Sequence, residues 1–125
     1  MKVSEIMHSP VSIEDKVSLK EAAKTMSEKK VGSLIIIHDK KIVGIITEND
    51  IITNIQHLES SVSKVMSKNV ITIDSQENIS NAAIIMGKNK IKRLPVLKKD
   101  AIVGIITATD LLANSEEIDE PFFFD

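Results

Sequence analysis

Two short stretches of the sequence place a hydroxyl and a carboxylate at a fixed spacing. The pattern Gly-Ile-Ile-Thr-x-x-Asp occurs at residues 44–50 and again at residues 104–110. In each copy an apolar run ends, Thr lies where a helix would begin, and Asp lies in its first turn. Two interpretations stay open. Thr-x-x-Asp acts only as a capping box, or its hydroxyl, carboxylate and the free N–H groups beside them also hold a phosphate and a ribose diol.

Other kinds of chemistry find little support in the sequence. There is no cysteine, which excludes disulfides, thiolate metal sites and cysteine nucleophiles. His8, His38 and His57 have no metal-ligand spacing and no obvious carboxylate partner, so we predict plain surface residues. The serines lack a nucleophile-elbow context, and no Walker-type loop is present. The sequence therefore predicts a protein that is not an enzyme and that needs no metal and no cofactor.

Charge and hydropathy narrow the possible partners and the location. The net charge of −2 gives no basic field for nucleic acid. The longest apolar runs, at residues 34–37 and 42–46, are too short to span a bilayer. The residues after Met1 do not form an apolar signal region. We therefore expect a soluble cytoplasmic protein without membrane or nucleic-acid partners.

The elements that must position the Thr and Asp residues occur twice, because the sequence is a tandem repeat. Residues 3–7 return 59 positions later, and after one inserted residue near Asn69 the offset is 60. Residues 42–47 match residues 102–107 at six consecutive positions. Internal similarity along the whole unit indicates two copies of one fold. We divide the chain into a first repeat (residues 1–58), a second repeat (residues 59–114) and an acidic, Phe-rich C-terminal tail (residues 115–125).

Each repeat predicts a short strand followed by a helix. The strands are expected at residues 11–13 and 70–73. Ser18-Leu19-Lys20-Glu21 is a capping box that opens the first helix. The apolar face of this helix recurs in the second repeat, and the two faces consist of Leu19, Ala22, Ala23 and Met26, and of Ile79, Ala82, Ala83 and Met86.

Two β-rich runs and a second helix complete each repeat. In the first repeat the runs at residues 34–37 and 42–46 are joined by a turn at Asp39-Lys40. The runs are continuously apolar, so both faces of the sheet are expected to be buried. The predicted fold class is α/β (α+β), with two β-α-β-β-α repeats. Because one repeat of about sixty residues buries little surface alone, we expect the two to pack around a pseudo-twofold axis with two clefts between them.

The order and spacing of these motifs resemble the CBS-domain pair. The resemblance rests on the Val and Met that begin each unit, on Leu94-Pro95-Val96 and on the doubled Gly-Ile-Ile-Thr-x-x-Asp, and it covers roughly residues 3–114. It implies a regulatory module, such as an energy sensor, that binds AMP, ADP, ATP or S-adenosylmethionine. It also implies a homodimer that signals to an unidentified regulated protein, since the chain carries no output domain.

In this family each cleft draws on both repeats, and the resemblance assigns the site residues accordingly. Thr and Asp would hold phosphate and ribose, and strand residues of the other repeat would hold the base. The first cleft would contain Thr47, Asp50, Ile71, Thr72, Ile73, Arg93, Leu94, Pro95 and Val96. The second cleft would contain Thr107, Asp110, Ser12, Ile13, Ser33, Leu34 and Ile35.

The two predicted clefts are not equivalent. Lys92-Arg93 stands where the first repeat has Gly32-Ser33, so the first cleft alone gains a guanidinium suited to phosphate. We predict that the Asp50 cleft binds the more phosphorylated ligand, and the alternative is two solvated cations. The first repeat has Leu34-Ile35-Ile36 in place of Leu-Pro-Val, so the second cleft departs from the family pattern.

Two further functions remain possible. The chain could be a structural dimerisation or protein-interaction module without a physiological nucleotide. Nucleic-acid binding is disfavoured by the net charge and by the lack of aromatic residues on any strand.

The C-terminal tail carries three consecutive Phe residues at 122–124, which are unfavourable in water. We therefore predict that the tail either docks onto the protein itself or acts as a partner-binding peptide.

Overall fold

Both repeats have the predicted order of strands and helices in a computed structural model, which describes residues 1–118. The first set is β1 (Ser12–Glu14), α1 (Leu19–Lys29), β2 (Ser33–His38), β3 (Lys41–Thr47) and α2 (Glu48–Thr53). The second set is β4 (Ile73–Asp74), α3 (Ile79–Asn89), β5 (Arg93–Lys98), β6 (Ala101–Thr107) and α4 (Ala108–Ala113). The β-α-β-β-α fold class is confirmed. Short 3₁₀ turns lie at Val3–Glu5, Ile55–His57, Val62–Lys64 and Ser115–Glu117.

The chain divides into two compact units that differ from the sequence repeats. One unit is continuous, Val11–Val70, and the other combines Met1–Pro10 with the residues from Ile71 onward. The N-terminal segment is therefore packed with the second set of elements. The repeat division at residues 58 and 114 describes sequence similarity and stays a prediction.

In the continuous unit, a three-stranded sheet carries the two helices. The strand order is β1-β2-β3, with β1 parallel and β3 antiparallel to the central strand β2. The predicted turn between β2 and β3 is present, and both of its residues are left-handed, with φ of 49° at Asp39 and 65° at Lys40. Such a two-residue turn matches the twist of a hairpin and fixes which residues of β2 and β3 face each other.

Helix α1 begins and ends as the local sequence dictates. The Ser18 hydroxyl accepts a hydrogen bond from the backbone N–H of Glu21 at 3.1 Å, which makes Ser18 the N-cap. The return bond from the Glu21 side chain is not made within residues 1–118, so the predicted capping box is only half formed. The helix ends at Lys30, which is left-handed with φ of 57°. Its apolar face joins a core formed by Leu19, Ala22, Met26, Leu34, Ile36, Ile46, Ile51 and Val62.

The other unit repeats this arrangement with a discontinuous chain. Its sheet has the order β4-β5-β6, with β4 parallel and β6 antiparallel to β5. The N-terminal segment is held by backbone bonds, since the Val3 N–H donates to the Glu77 carbonyl at 2.8 Å. The core consists of Val3, Ile73, Ile79, Ala82, Ala83, Met86, Leu94, Val96, Ile106, Leu111 and Ile118.

The first strand of this unit is shorter than predicted. We expected residues 70–73, but β4 covers Ile73–Asp74. In the continuous unit the Ile35 N–H donates to the Val11 carbonyl at 2.9 Å. The residue equivalent to Ile35 is Pro95, which has no N–H, so the ladder cannot extend in the same way to Ile71.

The beginning of the predicted tail is packed against the core. Ser115–Glu117 forms a 3₁₀ turn, and the following Ile118 is 7% exposed. Burial of this side chain ties the residues after α4 to the folded unit. The Phe122–Phe124 cluster, on which the tail hypothesis depends, lies outside the described residues.

Candidate functional site

The first Thr-x-x-Asp pattern forms a complete capping box at the start of α2. The Thr47 N–H donates to Oδ2 of Asp50 at 2.8 Å, and the Thr47 hydroxyl donates to the same oxygen at 3.2 Å. In return, the Asp50 N–H donates to Oγ1 of Thr47 at 3.4 Å. The strand β3 thus passes into α2 without a loop, and both side chains are half-buried. The capping interpretation of this pattern is confirmed.

The second pattern has the same geometry at the start of α4. The Thr107 N–H and hydroxyl donate to Oδ2 of Asp110 at 2.8 and 2.9 Å. The Asp110 N–H donates to Oγ1 of Thr107 at 3.3 Å. An Asn side chain closes the other end of each helix, from Asn54 to the Asp50 carbonyl at 2.8 Å and from Asn114 to the Asp110 carbonyl at 2.9 Å.

These bonds determine which atoms remain for a ligand. Each Asp uses Oδ2 for its own helix, so Oδ1 is the oxygen that could accept a bond from a ribose hydroxyl. Helices α2 and α4 have only six residues each. We therefore assign any polar recognition here to the Thr and Asp side chains, because a helix this short presents little dipole.

The remaining oxygen is in different surroundings in the two units. Oδ1 of Asp110 contacts Nε2 of His8, whose side chain is 64% exposed. Oδ1 of Asp50 has no hydrogen-bond partner among residues 1–118. The residue equivalent to His8 is Ser67, which makes the same backbone bridge but carries a short side chain.

The prediction that the histidines have no carboxylate partner is wrong for two of them. His8 contacts Asp110, as described above. His38 lies between two carboxylates, with Nδ1 3.2 Å from Oδ2 of Asp15 and Nε2 3.3 Å from Oδ2 of Asp39. No local pattern indicates the first pair, because His8 and Asp110 are 102 residues apart. For His38, the neighbouring Asp39 was a visible candidate in the sequence. The surface location is as expected, since His8, His38 and His57 are all exposed.

The strand residues assigned to the first cleft lie together in one sheet. Ile73 of β4 pairs with Val96 of β5, and Leu94 and Pro95 precede Val96 on the same strand. Arg93 begins β5 and pairs with Thr107, the capping residue of α4. Ile71 and Thr72 lie just before β4. The association of these strand residues with Thr47 and Asp50 in one cleft stays a prediction.

The strand residues assigned to the second cleft are grouped in the same way in the continuous unit. Ser12 pairs with Ile35 and Ile13 pairs with Ile36 across the parallel ladder. Ser33 begins β2, pairs with Thr47 and is 8% exposed, and Leu34 is fully buried. Their association with Thr107 and Asp110 likewise stays a prediction.

The apolar grooves beside the helices were not predicted from the sequence. The continuous unit has a groove of about 460 Å³ along α1 and α2, beside Met26 and Ile51. The other has a groove of about 270 Å³ along α3 and α4, beside Met86 and Leu111. Ile52 and Leu112 line these grooves and are 66% and 72% exposed. The sequence contains a signal for these grooves, because Ile52 and Leu112 each follow a buried apolar residue of their helix and so place an apolar side chain outside the core.

Two properties of the described residues limit the kind of site. No group of three or more His, Asp or Glu residues among residues 1–118 could hold a metal ion. Within the same range, none of the helices combines the length and the apolar character needed to cross a membrane.

Comparison with protein families gives a match over nearly the whole chain. The model of the CBS domain matches residues 3–57 and again residues 62–117. An uncharacterized protein of Methanocaldococcus jannaschii is 39% identical over 102 residues, which is 81% of this chain and 34% of the relative. Homoserine O-acetyltransferase of Methanohalobium evestigatum is 36% identical over 118 residues, which is 92% of this chain and 24% of that enzyme. The chain thus spans about a third or less of these relatives.

Solved structures share the fold over almost their full length. A CBS-domain pair crystallised in complex with 5′-methylthioadenosine and S-adenosyl-L-methionine is 30% identical with a TM-score of 0.86, and the match covers 93% of this chain and 96% of that one. A CBS-domain-containing protein of Agrobacterium tumefaciens is 26% identical with a TM-score of 0.86, covering 92% of this chain and 99% of that one.

Proposed function

The chain belongs to the CBS-domain family, of which it carries two domains, and on this premise we propose that it is a non-enzymatic regulatory module for an adenosyl ligand. The observation that carries the proposal is the similar CBS-domain pair that holds 5′-methylthioadenosine and S-adenosyl-L-methionine. The candidate ligands are AMP, ADP, ATP and S-adenosylmethionine. Binding would favour one state of the module, and a regulated protein would recognise that state.

The carboxylates of Asp50 and Asp110 support this function chemically. Both are half-buried and held rigidly by their own capping boxes. In each, the oxygen that does not serve the helix is Oδ1, an acceptor for ribose hydroxyls. Aliphatic strand residues such as Ile71 and Ile13 are suited to the faces of an adenine ring, in a chain whose three aromatic residues all lie after residue 121.

Thermal unfolding with each candidate ligand tests the proposal. A ligand that binds only the native state, at a hundred times its Kd, stabilises the protein by about 2.7 kcal/mol. We expect a shift with at least one adenosyl ligand, and loss of that shift in Asp50→Asn or Asp110→Asn. Glu48→Gln is the matched control for Asp50, because it removes an exposed carboxylate from the same first turn. Each variant is compared with its own unliganded protein, and titration calorimetry gives the Kd directly.

The absence of a shift with all four ligands would contradict the proposed function. It would favour the structural alternative, in which the chain is a dimerisation module without a physiological nucleotide. A shift that survives both Asp substitutions would leave the ligand but reject the assigned carboxylates.

The Lys92-Arg93 pair supports a difference in ligand charge between the two sites. The guanidinium of Arg93 is half-exposed at the start of β5, where the equivalent residue in the first repeat is Ser33. We expect Arg93→Ala to weaken ATP binding at the Asp50 site more than AMP binding, because ATP carries more phosphate charge. Lys98→Ala, at the exposed end of the same strand, is the control. Unchanged affinity for every nucleotide would reject this assignment.

A homodimer is the second part of the proposal, and it is also the basis of the structural alternative. Ile52, Ile55 and Leu112 are 66%, 61% and 72% exposed on or next to α2 and α4. A second copy of the chain would bury these side chains and gain hydrophobic free energy. Sedimentation velocity should give the mass of a dimer, and Ile52→Glu with Leu112→Glu should shift it toward monomer. A monomeric mass for the unmodified chain contradicts this part.

The tail is proposed as the segment that a regulated protein recognises. Since Ile118 is buried in the core, the informative truncation begins after it and removes residues 119–125. We expect the truncated chain to retain its stability and its nucleotide binding and to lose capture of its partner. If the mass in solution and the partner capture are both unchanged, the tail has no such role.

A further inference from the structure

His8 is fixed beside Asp110 by its backbone. The His8 N–H donates to the Ile105 carbonyl at 2.9 Å, and the Ile105 N–H donates to the His8 carbonyl at 2.9 Å. Upstream of this bridge, Val3 is fully buried in the core that also contains Ile106 and Leu111. The imidazole therefore lies next to the capping box of α4 because folding brings the N-terminal segment to β6.

The contact occupies the oxygen that a ribose would need. Oδ2 of Asp110 accepts the two bonds from Thr107, and Oδ1 contacts Nε2 of His8. At Asp50 the same helix bonds are made to Oδ2, while Oδ1 lacks a partner within residues 1–118. A ribose diol would find a free acceptor at Asp50 and an occupied one at Asp110.

The equivalent position in the other unit shows that residue type causes this difference. Ser67 exchanges backbone bonds with Ile45 at 3.0 and 3.1 Å, just as His8 does with Ile105. The Ser67 side chain is much shorter than that of His8 and has no imidazole that could reach Asp50. The backbone bridge is the same in both units, and at this position they differ in the side chain.

We propose that His8 is a selectivity residue that competes with ribose hydroxyls for Oδ1 of Asp110, so that the Asp110 site binds adenosyl ligands more weakly than the Asp50 site. This inference rests on the proposed function. The His8 side chain is 64% exposed, so it turns into solvent when a ligand displaces it. A contact at such an exposed position changes affinity by about two- to fivefold.

Exchanging the two residues tests the competition. In an Asp50→Asn background, which leaves the Asp110 site to be measured alone, His8→Ser should tighten AMP binding about two- to fivefold. In an Asp110→Asn background, Ser67→His should weaken AMP binding at the Asp50 site. The analogue 2′,3′-dideoxy-AMP lacks the diol, so its affinity should not respond to either exchange. Thermal unfolding of each unliganded variant verifies the fold.

The outcomes separate the inference from the function on which it rests. Equal AMP affinity with His or Ser at position 8 overturns the competition and leaves the nucleotide module standing. Absence of AMP, ADP, ATP and S-adenosylmethionine binding in every variant overturns both. The NMR signals of the His8 ring give an independent readout. They should move toward those of the Asp110→Asn variant when AMP is added, and signals that stay in place while AMP binds at Asp110 overturn the inference.

Discussion

The two units of this chain share a backbone and differ in a few side chains around their carboxylates. The bond from the Thr N–H to the Asp Oδ2 is 2.8 Å long at both Thr47 and Thr107. Among the differences, Ser67 in one unit corresponds to His8 in the other. Ser33, which pairs with Thr47, corresponds to Arg93, which pairs with Thr107. The repeat therefore preserves the framework that positions each carboxylate, while what surrounds the second carboxylate oxygen varies. The framework and its variable neighbours can be tested separately.

The largest effect on the shared framework is expected at Gly44 and Gly104. A Cβ on Gly44 would lie 2.4 Å from Sδ of Met66, and a Cβ on Gly104 would lie 2.5 Å from Sδ of Met7. Backbone carbonyls lie close as well, at 3.0 and 3.1 Å. We expect each Gly→Ala substitution to lower the free energy of unfolding by about 1–3 kcal/mol. Urea unfolding measures both variants, and the two losses should be similar.

The cause of this loss can be tested by removing the opposing side chain. In Gly44→Ala with Met66→Ala, the double variant should be more stable than the sum of the single losses predicts, because the clash is relieved. Additive losses would locate the strain elsewhere. An unchanged stability in Gly44→Ala would show that Met66 moves aside at no cost.

The next effect concerns the capping boxes themselves. Thr47→Ala and Thr107→Ala each remove the hydroxyl that accepts the Asp N–H. Loss of such a cap costs about 1 kcal/mol of stability. Thermal unfolding should give nearly equal losses in the two units. Thr53→Ala, which removes an exposed hydroxyl bonded to the Asn49 carbonyl, is the control and should change stability by less than about 0.5 kcal/mol.

The smallest effect is a gain in stability at the ends of α1 and α3. Lys30 and Lys90 have φ of 57° and 55°, a region that disfavours residues with a Cβ and that Gly adopts freely. Lys30→Gly and Lys90→Gly should each raise the free energy of unfolding by about 0.5–1 kcal/mol. This gain is the strain relieved at the left-handed position minus the entropy cost of ordering Gly, which is more flexible in the unfolded chain. A higher urea midpoint would show it. Lys24→Gly, inside α1, should instead lose about 1 kcal/mol. A loss at either helix end would contradict the steric account.

Local patterns predicted most of the framework. The order of strands and helices, the Asp39-Lys40 turn and the Thr-x-x-Asp caps all follow from residues close together in the sequence. The short β4 was also predictable, because Pro95 has no N–H for the ladder, but this consequence emerges only once β5 is aligned with β2. Such local features are specified by propensity, capping and backbone chemistry.

Long-range placement was not predictable from the same residues. Val3 and Val62 begin equivalent segments with almost the same sequence, and each is fully buried in a different core. Sequence similarity cannot indicate which core receives which segment. The contact between His8 and Asp110 depends on that placement, so it could not be inferred from the His alone. The ligand residues predicted from the family resemblance depend on the arrangement of both units and stay predictions.

The placement of the N-terminal segment imposes an order on how the protein can form as it is synthesised. All the contacts within Val11–Val70 become available once residue 70 has emerged from the ribosome. The backbone N–H of Val3 can form its hydrogen bond only after Glu77 has been synthesised, and that of His8 only after Ile105 has been synthesised. Residues 1–10 are thus made before the continuous unit and folded after it. The carboxylate that His8 contacts is completed after its counterpart at Asp50 on every chain that is translated.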